Sequence, residues 1–309
     1  MPTEGSIGGR TVETIWAERG DYYRPIHEYT TACLQLHQEF KRQRWSDKPS
    51  FHDEFHVEAA ILAGHYLSEY CLSSDDDFMG LRADLARWNE QTGSNLQAEE
   101  LPLIFALVFA GHDLGNIAKR VEYRGGKLEV EFLPGYVAKD AEDRSAAFMD
   151  ETIKLSRVPE DKRKEYLKLA KYLTRQTCYM YDDDDPEGKK PFARFMRVCD
   201  QICNVYFDRN DSFLLGLMAE DLATGKNHRD TTNVGLCLNF NHLRGPYFFK
   251  EASERRRVEG ALNPYRVVRS YDYLEMVAPE MNTEDVELMI SHWPELTDED
   301  LAECLAIEN

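Results

Sequence analysis

The chain predicts an all-α fold with one small β-hairpin, on three observations. Apolar residues recur at helical spacing through most of the stretch from Asp21 to Phe207. Leu101 to Ala110 is a nearly unbroken apolar run, too poor in polar residues for a surface helix and therefore central. Alternation of apolar and polar residues around a Gly-Gly pair occurs near 121–132, as a hairpin requires.

In chain order, Ile26, Tyr29, Cys33, Leu34 and Leu36 predict a helix over Asp21 to Trp45, a stretch without glycine and with only an early Pro25. The loop Ser46-Asp47-Lys48-Pro49-Ser50 punctuates the chain before a second helix from His52 to Tyr70, built on Phe55, Ala59, Ile61, Leu62 and Leu67. A polar break at Ser73 to Asp77 precedes the central apolar run, which closes at Gly111. After the hairpin, helical periodicity returns over Glu142 to Leu155, Lys162 to Thr174 and Phe192 to Phe207. The aspartate run within Tyr181 to Gly188 lacks the alternating spacing of a calcium loop and reads as a solvated connection. Beyond Asp211 the pattern weakens, and two short capped helices are expected, one after Asn282-Thr283 and one after Thr297.

At 309 residues the chain exceeds a typical single domain. The expected division is a helical domain over 20–210 and a helical C-terminal extension over 211–309 packed on it. With 37 basic and 56 acidic residues the net charge is −19, which argues against a non-specific nucleic-acid grip. A small anionic substrate stays compatible, because a bound cation reverses the local field. The seven cysteines show no C-x-x-C spacing, so neither a disulfide framework nor a zinc ribbon is expected; Cys199 and Cys203 read as buried thiols on one helix face. No secretory leader or membrane-spanning run is visible, and the expectation is a cytoplasmic protein without a membrane partner.

The chemistry-bearing residues fall in three clusters. His52 and His56 are four apart and, on a helix, project from nearly one face, whereas His65 points away and reads as a surface or satisfied core histidine. His112-Asp113, flanked by Gly111 and Gly115, ends the apolar run, where burying two ionisable groups without partners would cost several kcal/mol. A divalent metal answers that cost; so does an ordinary helix end in which Asp113 and Asn116 cap the next segment. Asp200 sits on a mostly apolar helix, where it is either a ligand or the partner of Arg194 or Arg197.

H-x-x-x-H, an apolar helix ending in His-Asp, and a later helical Asp resemble the HD-domain metal-dependent phosphohydrolases. Within them, Phe51-His52-Asp53-Glu54-Phe55-His56 resembles the Tyr-His-Asn-x-x-His opening of cyclic nucleotide phosphodiesterases, and the resemblance spans Ser50 to Phe207. It implies an HD-type helical bundle with the hairpin as an insertion and the region after Asp211 as an annex. It makes His56, His112, Asp113 and Asp200 ligands of a divalent ion (Mn, Mg, Zn or Fe), with Asp113 placed to bridge to a second. His52 takes the part of the acid that protonates the leaving oxygen, and His52 and Asp113 are the catalytic pair. Glu142 and Asp143 fall where the family has further second-site groups. Arg175 and Asn116 are the substrate-binding candidates, Arg175 chosen from a basic set that also holds Lys119, Arg120, Arg144 and Arg197.

The pattern departs from the family in three respects: no histidine lies between Asp113 and Asp200, His-Asp-Leu-Gly-Asn lacks the later histidine of the phosphodiesterase motif, and the glutamine that clamps purines has no clear counterpart after Asp200. One tightly held ion with a weak or absent second is therefore expected, and cyclic-nucleotide specificity does not transfer. A second register pairs His52-Asp53 with His27 upstream and Asp113 downstream; both registers make Asp113 a ligand. The expected activity is hydrolysis of a small phosphate ester, a nucleotide above all, as phosphomonoester or cyclic phosphodiester. The alternative is a catalytically reduced regulatory or ligand-binding protein that keeps the metal.

Overall fold

A computed structural model describes residues 11–45, 50–74, 77–177 and 190–206, together with Arg257. The described residues are mostly helical, with a small two-stranded sheet. Helix α1 (Val12–Tyr23) opens on Thr11, whose hydroxyl accepts from the Thr14 amide while the Thr14 hydroxyl accepts from the Thr11 amide. The single helix expected over 21–45 is divided, because Pro25 cannot donate to a helical ladder. A 3-10 turn (Arg24–Ile26) separates α1 from α2 (His27–Phe40), which runs on into a π-type turn (Lys41–Trp45).

Helix α3 (Glu54–Ser73) begins two residues later than the histidine spacing suggested, because Asp53 caps it: its Oδ1 accepts from the amides of Phe55 and His56. The next helix, α4 (Leu81–Thr92), was not anticipated. It lies between Gly80 and Gly93, both in the left-handed region at φ 74° and 67°, and the Asp77 carboxylate accepts from the Leu81 and Arg82 amides at 2.9 and 2.6 Å. Helix α5 (Leu101–Gly111) is buried at every position and packs on α3. The two approach closely at Gly64, where a Cβ would sit 2.6 Å from the Phe109 ring.

A single turn, α6 (Leu114–Ile117), leads into β1 (Ala118–Arg124) and β2 (Lys127–Phe132), an antiparallel hairpin. Its two-residue loop is Gly125-Gly126, at φ 57° and 86°, where a side chain would be strained. Helix α7 (Ala141–Thr152) then grips α6 at Gly115. The Gly115 amide donates to Ser145 Oγ at 2.7 Å, Arg144 Nε donates to the Gly115 carbonyl at 2.9 Å, and the Ala141 carbonyl fills the space a Cβ would need. Helix α8 (Glu160–Thr174) packs on α5 and α7.

Helix α9 (Ala193–Tyr206) packs along α3. Phe192, just before it, is fully buried at φ 60°, a conformation an L residue rarely adopts. Its amide donates to Asp84 Oδ2 at 2.6 Å, so α4 holds the strained entry to the helix that carries Asp200. Cys199 is buried and forms no disulfide among the described residues. The Cys203 side chain, the aspartate run at 182–185 and the C-terminal annex with its two expected helices lie outside the described residues. Among those described, no helix is long and apolar enough to cross a membrane.

Candidate metal centre

Three helices deliver four side chains to one point. His56 lies in the first turn of α3, His112 and Asp113 at the junction of α5 and α6, and Asp200 on α9. His56 Nε2 is 3.2 Å from Asp113 Oδ2 and 3.2 Å from Asp200 Oδ1; His112 Nε2 is 3.3 and 3.1 Å from the same two oxygens. The ligand atoms of His56, His112 and Asp200 all lie within 4.8 Å of one another. His56, His112 and Asp113 are buried, and the Asp200 side chain is 16% exposed.

One hydrogen bond sets the chemistry of this cluster. His112 Nδ1 lies 2.8 Å from the Phe109 carbonyl, which can only accept, so Nδ1 carries a proton. In neutral His112 the Nε2 lone pair then faces two carboxylate oxygens, an arrangement that needs a cation or a proton between them. Asp113 Oδ2 has the same need from the other side: it is buried and, beyond the His56 and His112 nitrogens at 3.2 and 3.3 Å, meets no hydrogen-bond donor among the described residues, while Oδ1 accepts from Asn116 Nδ2 at 2.9 Å. An orphaned carboxylate oxygen, a second carboxylate and two imidazole nitrogens suit a first-row divalent ion.

The electrostatics agree. Burial would lower His112, but the neighbouring Asp113 and Asp200 outweigh it and raise its pKa. Burial would raise Asp113 and Asp200, yet the adjoining histidines hold both below the ordinary carboxylate value. Without a metal the cluster therefore retains a proton shared among its members.

His52 does not share a helix face with His56. It sits in the bend before α3, and its ring centroid is 5.9 Å from that of His56 and 6.1 Å from that of Tyr136. It lies close enough to Asp113 and Glu142 for its charge to lower both. Glu142, in the first turn of α7, is raised by burial and further by Asp113 and Asp200, so it belongs to the same electrostatic neighbourhood. Asp143, next to it, instead accepts from Arg175 Nε at 2.6 Å on an exposed face. Arg175 is thus paired, and Asn116 orients Asp113. Arg144 donates to the backbone carbonyls of Gly115, Val137 and Lys139, Lys119 pairs with Glu131, and Arg120 pairs with Glu122. Arg197 Nε is buried without a hydrogen-bond partner among the described residues.

The second register is not assembled. Asp53 is fully buried but occupied by the α3 cap, with Lys41 Nζ at 3.1 Å and Ser50 Oγ at 3.4 Å, and His27 packs edge-on to Trp16. His65 is a core histidine whose Nδ1 lies 2.5 Å from the Tyr23 hydroxyl. Sequence reasoning missed His37, fully buried on α2, whose Nδ1 donates to the His52 carbonyl at 3.0 Å and whose pKa burial lowers to about 4. Its signal was the pair His37 and Lys41, one helical turn apart and both directed at the bend that carries His52 and Asp53. Comparison with known protein families, curated proteins and solved structures finds no match to this chain.

Proposed function

We propose that the chain is a metal-dependent phosphohydrolase acting on a nucleotide or related small phosphate ester, in the manner of the HD-domain enzymes whose motif order it resembles. The observation that carries this is the convergence of His112 Nε2 and His56 Nε2 on the Asp113 and Asp200 carboxylates, with His112 Nδ1 held by the Phe109 carbonyl. When bound, a divalent ion supplies the positive charge that acidifies water and stabilises charge developing on phosphoryl oxygens.

The chain's own residues do the rest. His56, His112, Asp113 and Asp200 hold the ion. Asn116 fixes the rotation of the Asp113 carboxyl, and the Phe109 carbonyl fixes the His112 tautomer. His52, which ligates nothing in this arrangement and stands beside the cluster, gives a proton to the leaving oxygen. Glu142, disfavoured as an anion by burial and by two neighbouring carboxylates, accepts and releases a proton on the α7 side.

The test is metal analysis of the purified protein, followed by a panel of nucleoside monophosphates, cyclic nucleotides and aryl phosphates in manganese, magnesium, zinc and iron. Turnover with at least one metal is expected. Bound metal with no turnover on any ester would replace this function with that of a non-catalytic metal-binding regulator, which the histidine-free interval from Asp113 to Asp200 favours.

A further inference from the structure

A cavity that shares no residue with the metal cluster lies between α1, the 3-10 turn, the start of α2 and Arg157. It encloses about 330 Å³, at the small end of the range that ligand pockets occupy. Its floor is aromatic: the Trp16 and Tyr23 rings are 4.8 Å apart, and His27 stands edge-on to Trp16 at 5.8 Å. The floor is also stiff, because Tyr23 is 1% exposed and its hydroxyl is engaged by His65 on α3.

The rim is cationic. Arg24 is exposed, and its guanidinium has no partner among the described residues. Arg157 is fixed in place by its amide, which donates to the Pro25 carbonyl at 2.6 Å, and its side chain pairs with Glu28. Two guanidinium groups against one carboxylate leave the mouth positive in a chain whose net charge is −19. Guanidinium forks match phosphate oxygens, and an indole face accepts a flat ring.

We infer that this cavity binds a planar aromatic anion of nucleoside monophosphate size, with its ring on Trp16 and its anionic group on Arg24 and Arg157. The site is separate from the proposed reaction centre and does not need the metal.

Calorimetric titration of the full chain in excess EDTA with 5′-AMP, adenosine and inorganic phosphate tests it. Saturable 5′-AMP binding is expected, with adenosine and phosphate each much weaker because each lacks half of the recognition. Arg24→Gln, a change at an exposed position, should weaken 5′-AMP by about tenfold or more, the value of one charge-assisted contact, while leaving metal content unchanged. Quenching of tryptophan fluorescence by 5′-AMP should disappear in Trp16→Phe while calorimetric binding persists. Absence of saturable binding, affinity untouched by Arg24→Gln, or quenching retained in Trp16→Phe would each overturn the assignment. None of these outcomes depends on whether the metal centre is catalytic.

Discussion

The Phe109 carbonyl decides which nitrogen of His112 faces the carboxylates, and that choice turns Nε2 toward Asp113 and Asp200, where a proton or a divalent ion can sit. His112→Ala and Asp200→Ala should therefore lose bound metal, measured by elemental analysis after dialysis, whereas His52→Ala should retain it and lose rate. Retention of stoichiometric metal by both ligand variants would sink the assignment. Asn116→Ala leaves every proposed ligand in place but frees Asp113 to rotate, and a supporting contact of this kind is worth roughly 10- to 100-fold in metal affinity. These residues were legible in the sequence because ionisable groups beside apolar runs stand out. The roles of Asn116 and His37 were not, since a buried amide or imidazole shows its partner only after the chain has folded.

Helix ends, more than helix interiors, place this site. Asp53 looked like half of a His-Asp pair, but its carboxylate caps α3 and so sets the orientation of His56 in the first turn. Asn caps a helix nearly as well as Asp, while Ala costs about 0.5–2 kcal/mol. Asp53→Asn should consequently keep its metal with little change in melting temperature, and Asp53→Ala should keep its metal but melt earlier; loss of metal in Asp53→Asn would revive the second register with His27. Periodicity located α3, α5, α7, α8 and α9 to within a few residues, because their apolar faces are buried. It passed over α4, whose limits are two left-handed glycines and an aspartate cap rather than an apolar stripe. It also passed over all but the last three residues of α1 and began the next helix at Asp21, ahead of the Pro25 turn that separates the two.

Across the whole molecule, protons and a divalent ion held by the proposed ligands would compete for the same atoms, and the sign of that competition can be worked out. His112 is raised above its ordinary 6.5, so its proton stabilises the metal-free fold below that value, and the contribution is lost as pH rises through the folded pKa. Asp113 and Asp200 are lowered from 3.8, so their contribution is present above that value and lost as pH falls through the folded one. His65 and His37 act oppositely to His112: burial lowers them to about 3 and about 4, so protonation below 6.5 favours the unfolded chain. Each of these two removes up to about 1.4 kcal/mol per pH unit on the acid side. A divalent ion must displace the proton that His112 would otherwise share, so its affinity rises with pH. At a hundredfold excess over its dissociation constant it adds about 2.7 kcal/mol to stability. Differential scanning calorimetry with and without metal should accordingly show a melting-temperature increment that grows from pH 5.5 to pH 7.5 and vanishes in His112→Ala. An increment of equal size at both pH values, or one that survives in His112→Ala, would place the ion elsewhere on this acidic surface.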